Sequence, residues 1–176
     1  AGCGFGGSCF PKDVRALHAF GEKQNVSMQM LNSVIKINNA QPQKIISILK
    51  NKVPNYKNKK DILILGAAFK ANTDDIRESA TIPVIEALIE MKFNISLYDP
   101  IAGKNMQKLF KDKISLEEDL TSSIKSNDIV ILMTMWDEFI DLPNIINKTK
   151  PDIDLIDGRR QIKKNSVKNY FGIGLG

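Results

Sequence analysis

Apolar residues recur along this chain with two different periods, and the change from one to the other divides it. Leu31, Val34, Ile35, Ile45, Ile46 and Leu49 return at three- and four-residue steps, with Asn38 on the same stripe, while Gln29, Asn32, Lys36, Asn39, Gln43, Lys44 and Lys50 fill the opposite face. This spacing predicts a long amphipathic helix over 27–50, with Ser27 in the N-cap position. Pro42 lacks an N–H and its ring crowds the preceding turn, so the helix is expected to bend or divide near Ala40. A shorter helical pattern runs from about Val14 to Lys23, with a break at Gly21 and Asn25. The stripe over 27–50 is too long for its own segment to cover, and it needs a neighbouring domain or a second subunit.

From Asn51 to Lys60 the period is lost among Pro54 and the lysines at 52, 57, 59 and 60, which reads as a linker and a domain boundary. Beyond it, short apolar runs alternate with helical stripes. Strands are predicted at Asp61–Gly66, Ile95–Tyr98, Ile129–Met133, Asp154–Gly158 and Tyr170–Ile173. Helices are predicted over Ser79–Lys92, around Lys104–Leu109, and in a short acidic piece after Ser115. Continuous apolar runs fit strands buried on both faces, and strand–helix alternation implies a parallel sheet with right-handed crossovers. The expected fold is α/β: a Rossmann-like parallel sheet with flanking helices over 58–176, preceded by the helical segment 14–52 and by a loop over 1–13.

Composition narrows the function classes. The chain has 176 residues, 43% of them hydrophobic, so a packed core is within reach, and no apolar run is long enough to span a bilayer. Cys3 and Cys9 do not make a secreted disulfide framework, and a reducing cytoplasm is the expected setting. One histidine, His18, is too few for a histidine metal site or a Ser-His-Asp triad, so no metal is expected. The net charge of +5 is modest and dispersed, and the aromatics are not interleaved with the basic residues. That favours a small anionic ligand over nucleic acid.

Candidate chemistry gathers in two places. The string Gly2-x-Gly4-x-x-Gly7 satisfies the dinucleotide fingerprint, but no strand precedes it and Pro11 interrupts the residues after it. A loop whose glycines let the backbone approach a ligand is the better account. Within it Cys9 stands beside Ser8 and shortly before Lys12 and Asp13. The bland reading of a free cysteine is a small buried hydrophobe. Against this, a nearby ammonium favours thiolate and a carboxylate can orient water, so Cys9 is a candidate nucleophile. Cys3 has no such neighbours and reads as incidental. The second place is the carboxyl edge of the sheet, where open α/β folds bind ligands. Lys70 and Arg77 follow the first strand and Arg159 and Arg160 follow Asp157-Gly158. Each suits phosphate, and surface pairing of Arg77 with Asp75 or Glu78 is the alternative. Trp136 follows another strand and reads as packing, while Ser79 or Asp75 is placed to cap a helix.

These residues carry a resemblance. Gly4-Phe5-Gly6-Gly7-Ser8-Cys9-Phe10-Pro11-Lys12-Asp13 is similar to the catalytic-cysteine signature of the nucleotide-sugar dehydrogenase family, in its UDP-glucose 6-dehydrogenase branch. Three further blocks come in the family's order: Phe69-Lys70 with Thr73 to Ser79, Tyr98-Asp99-Pro100, and Asp157-Gly158-Arg159. The resemblance implies NAD-dependent oxidation of UDP-glucose to UDP-glucuronate, with Cys9 as nucleophile through a thiohemiacetal and a thioester. Asp13 would assist hydrolysis. It further implies substrate contacts from Phe5, Gly6, Phe10, Lys70 and Arg159, cofactor contacts from Lys12 and Arg77, and homodimer pairing through the 27–50 helix. The family's N-terminal NAD-binding domain has no counterpart here, and the chain opens without an initiator methionine. The expectation is therefore the C-terminal portion of an enzyme, inactive alone. The alternatives are a sister enzyme acting on GDP-mannose or a UDP-N-acetylhexosamine, or a non-catalytic module that binds UDP-sugars or pairs subunits.

Overall fold

The computed structural model describes residues 2–175. Six strands form one fully parallel sheet: β1 (Asp61–Leu65), β2 (Asn94–Tyr98), β3 (Ser115–Leu116), β4 (Ile129–Leu132), β5 (Asp154–Asp157) and β6 (Asn169–Gly172). Their spatial order is β3-β2-β1-β4-β5-β6. The chain therefore winds outward from β1 to β3, returns to the other side of β1, and winds outward again to β6. Ile62 to Leu65 lie level with Ile95 to Tyr98 on one side and with Ile129 to Leu132 on the other.

Seven helices accompany the sheet: α1 (Phe10–Lys23), α2 (Gln29–Ala40), α3 (Gln43–Lys52), α4 (Thr81–Glu90), α5 (Gly103–Phe110), α6 (Leu120–Ser126) and α7 (Leu142–Thr149). Helix α3 packs on α4 and β5, α4 on β2, and α6 on α7 and beneath β1 and β2. Because helices cover both faces, the central strands are apolar at successive positions, and every residue of β4 and β5 is buried. The core includes Leu63, Ile85, Leu97, Met106, Ile131 and Phe139. Each such side chain contributes about 1.5–3 kcal/mol on burial. Among the described residues no helix is long and apolar enough to cross a membrane.

The expected division at Pro42 is present. Helix α2 ends at Ala40, and α3 begins after Pro42, which stands at its N-cap. Proline cannot donate to the carbonyl of Asn38, and Gln41 N–H takes that acceptor instead at 3.2 Å. The two pieces then behave differently. Helix α3 buries Ile45, Ile46, Ile48 and Leu49, whereas α2 buries no residue.

Several boundaries move. Helix α1 begins at Phe10 rather than Val14, because Pro11 falls in its first turn, where a missing N–H costs nothing. Met28 rather than Ser27 occupies the N-cap of α2. The segment after Ser115 opens with the two-residue strand β3, and its helix starts only at Leu120, capped by Asp119, whose carboxylate accepts from Ser122 N–H at 2.7 Å. Helix α7 stands where the sequence pattern predicts no element.

Candidate functional site

The direction of winding reverses between β1 and β4, and at their carboxyl ends the loops part to leave a crevice. A cleft of about 220 Å³ lies there, lined by Phe69, Lys70, Ala71, Thr134, Met135 and Arg159. Its walls are held by buried polar groups. Asp99, at the end of β2, accepts from the backbone N–H of Ala67 at 2.7 Å and Ala68 at 3.3 Å and from the Trp136 indole at 3.1 Å. Its other oxygen accepts from Ile101 and Ala102 N–H at 2.9 and 2.6 Å. One carboxylate thus ties together the loops after β1, β2 and β4. Thr134 Oγ1 donates to Ala68 O and Ser79 Oγ to Ala67 O, both at 2.7 Å.

Asp157 plays the matching part at the end of β5. It is fully buried and accepts from Arg159 N–H, Ile162 N–H and the Tyr170 hydroxyl at 2.8, 2.8 and 3.0 Å. Burial and the Asp157 charge push the Tyr170 hydroxyl up to about 12. The turn so fixed presents Arg159, whose guanidinium donates to Met133 O and, at 3.4 Å, to Gly4 O. Arg159 therefore touches both the cleft and the glycine loop.

That loop, residues 2–9, is laid against the sheet edge. Gly7 N–H donates to Arg77 O at 2.9 Å. Gly6 lies so close to the Glu78 carbonyl that a Cβ there would stand 2.1 Å from its oxygen, so no side chain fits. Cys3 is completely buried, with its thiol 3.1 Å from Gly158 O, and burial pushes the thiol up to about 11 against the opposing influence of Arg159. Cys9 is exposed at the N-cap of α1, with Ser8 Oγ 3.7 Å from its sulfur.

The predicted site residues fall in several neighbouring places rather than one cluster. Lys70 and Arg159 line the cleft together. Phe5 lines a separate hollow of about 420 Å³ with Cys3, Asn38 and Glu78, and meets the exposed Phe10 ring edge-on at 4.9 Å. Lys12 and Asp13 are exposed on the first turns of α1 and pair with each other at 3.1 Å. Arg77 is exposed and holds Asp75 through a two-pronged contact at 2.8–3.1 Å. That contact keeps the Asp75 carboxyl below its ordinary range. Glu78 pairs instead with Arg15, at 2.8 and 2.9 Å.

Some expectations need correcting. Cys3 is not incidental but a core residue anchoring the loop. Ala80 stands at the N-cap of α4, but Ser79 beside it serves the helix start: its Oγ accepts from Thr81 N–H at 3.3 Å while donating to Ala67 O. Asp75 does not cap, and accepts instead from Arg77 N–H at 2.9 Å. Trp136 is buried packing as expected, yet also a hydrogen-bond donor in the crevice wall. Sequence reasoning missed Asn38, Gln41, Thr134 and Asp157 as organising groups. The signal available for Asn38 was a polar residue inside an apolar stripe.

A doubly wound parallel sheet with a cation-lined crevice at its switch point, and beside it a glycine loop ending in an exposed cysteine, is the architecture of nucleotide-binding α/β proteins. Residues 63–164 match the UDP binding domain of the UDP-glucose/GDP-mannose dehydrogenase family, and residues 1–40 match that family's central domain. The chain belongs to this family. It is 34% identical over 170 residues to UDP-glucose 6-dehydrogenase AglM of Haloferax volcanii, covering 97% of this chain and 39% of that protein. It is likewise 34% identical over 160 residues to UDP-glucose 6-dehydrogenase YwqF of Bacillus subtilis, covering 90% of this chain and 36% of that one. Among solved structures, a UDP-glucose dehydrogenase from Pyrobaculum islandicum superposes with a TM-score of 0.83 at 29% identity, covering 100% of this chain and 39% of that chain. A GDP-mannose dehydrogenase from Pseudomonas aeruginosa superposes with a TM-score of 0.82 at 30% identity, covering 98% and 40%. The chain thus spans about two fifths of the length of such relatives.

Proposed function

We propose that this chain supplies the nucleophile and the sugar-nucleotide crevice of an NAD-dependent UDP-glucose 6-dehydrogenase, which converts UDP-glucose to UDP-glucuronate. The observation that carries this is the meeting of two features at Arg159. It lines the switch-point cleft and also donates to the loop that ends in the exposed Cys9. In this reading Lys70 and Arg159 neutralise the diphosphate, and Phe5, Gly6 and Phe10 border the sugar. A first oxidation turns the C6 hydroxymethyl group into an aldehyde, and the Cys9 thiolate adds to its carbonyl, giving a thiohemiacetal. Oxidation of that adduct leaves a thioester, and a water oriented by Asp13 adds to its carbonyl and releases the carboxylate and the Cys9 thiol. NAD, when bound, accepts a hydride in each of the two oxidations. The exposed Lys12 and Arg77 form a donor set that fits an anionic cofactor, and they would hold it beside Cys9. The helices before the sheet pair two copies in this reading. The setting is cytoplasmic, with neither nucleic acid nor a membrane as partner.

A second reading, GDP-mannose as substrate, is favoured by the equally close superposition on the GDP-mannose dehydrogenase. Alkylation of Cys9 by iodoacetamide, with peptide mass spectrometry as readout and buried Cys3 as internal control, separates the two. UDP-glucose is expected to slow modification of Cys9 while GDP-mannose leaves it unchanged. The reverse pattern would assign the second substrate, and indifference to both would remove the proposal.

A further inference from the structure

Asn38 sits near the end of α2, far in sequence from Cys9, and its amide faces the loop backbone. Its Oδ1 accepts from Phe5 N–H at 2.7 Å while its Nδ2 donates to Phe5 O at 3.0 Å. These are the two hydrogen bonds that an antiparallel partner residue would make, here supplied by one side chain. The fit is close. Gly4 has φ +104°, and a Cβ on it would stand 2.7 Å from Asn38 Oδ1. One turn on, Gln41 Nε2 donates to Gly2 O at 3.1 Å. The same face of one helix end thus grips the loop at two points. The loop's other attachments, Arg159 to Gly4 O, Cys3 to Gly158 O and Gly7 N–H to Arg77 O, all come from the sheet edge.

We infer that Asn38 is a positioning residue: it fixes the backbone of the cysteine loop between α2 and the sheet edge, and so sets where Cys9 stands relative to the crevice. The inference rests on the reading of Cys9 as the nucleophile, but the docking it describes is measurable without any turnover. An aspartate in this place keeps the acceptor for Phe5 N–H and sets a charge against Phe5 O, and an alanine loses both contacts. Protonation of the aspartate restores a donor toward Phe5 O, so Asn38→Asp is repaired by acid and Asn38→Ala is not.

The test compares the chain with Asn38→Ala and Asn38→Asp, measuring amide hydrogen exchange over residues 2–9, iodoacetamide labelling of Cys3, and urea unfolding by Trp136 fluorescence. Loss of the paired contact is expected to accelerate exchange at Phe5 and Gly7 and labelling of Cys3 by about tenfold or more, with the unfolding midpoint of the sheet little changed. In Asn38→Asp the faster exchange, corrected for its intrinsic pH dependence, reverts below the carboxyl pKa. Protection of Cys9 by UDP-glucose falls in Asn38→Ala. Unchanged exchange, or faster exchange only in proportion to a lowered midpoint, overturns the inference. Faster loop exchange with no protection of Cys9 by UDP-glucose in the parent chain leaves the positioning role standing and removes the nucleophile reading.

Discussion

The helices on either side of Pro42 continue one apolar stripe, yet they meet opposite fates. Helix α3 buries four of its residues against α4 and β5. Helix α2 buries none, and Met30 and Ile37 are 83% and 62% exposed, in company with Phe20 and Phe10 on α1 at 60% and 62%. The difference teaches that periodicity identifies a face in need of cover without naming what covers it. The sheet serves α3. The stripe of α1 and α2 has no such surface among the described residues, and in the proposed function a second copy provides it.

The strongest way to break that comparison is to cut matching holes in the two regions. Leu63→Ala in β1 is expected to cost about 2–5 kcal/mol, read as a lower urea midpoint by Trp136 fluorescence. Ile37→Ala on α2 is expected to shift the midpoint by less than about 0.5 kcal/mol. Equal losses would show that α2 shares the core. Next in size, Asp99→Ala leaves backbone donors and the indole unpaired in the crevice wall and is expected to cost about 3 kcal/mol, with a changed Trp136 emission. An unaltered midpoint would mean that water replaces the carboxylate.

A smaller effect comes from titration. Cys3 and Tyr170 hold their protons more tightly in the folded chain, up to about 11 and about 12 against 9.0 and 10.0. A raised folded pKa stabilises fully below the unfolded value and is lost as pH rises through the folded one. Stability should therefore fall from about pH 9 upward, and Cys3→Ala should flatten the part between 9 and about 11. A pH-independent midpoint across that window would contradict the burial of the thiol. The smallest change is expected of Arg77→Ala, whose pair with Asp75 is solvent-exposed. The midpoint should not move, so any loss of anion binding by this variant reports the site and not the fold.

The sheet was legible because β1 and β4 are short apolar runs closed by glycine or polar residues, a length and flanking pattern that suit strands covered on both faces. What escaped is what tertiary contact decides. Strand β3 is two residues long and half polar, too short for any period to register. Cys3 carries no periodic signal, since its burial comes from a loop folding onto Gly158. Around the crevice, Lys70 and Arg159 were legible as candidates because cations after a strand point to an anion, and both line the cleft. Asn38, Asp99 and Asp157 act through backbone groups of residues whose proximity the sequence does not state. Asp99 was noticed as part of a motif, but its five donors come from three loops.

The anchoring of the cysteine loop also bears on the order of folding. Two of its attachments, Cys3 to Gly158 and Arg159 to Gly4, join residues 155 positions apart. Contacts of such separation form late, because the closure entropy of the intervening chain must first be offset by the sheet itself. Because synthesis runs from the amino end, the cysteine loop precedes β4 and β5 and waits until they are in place. The exposed Cys9 thiol is thus synthesised before the sheet and seated only after it, when the edge that holds its loop exists.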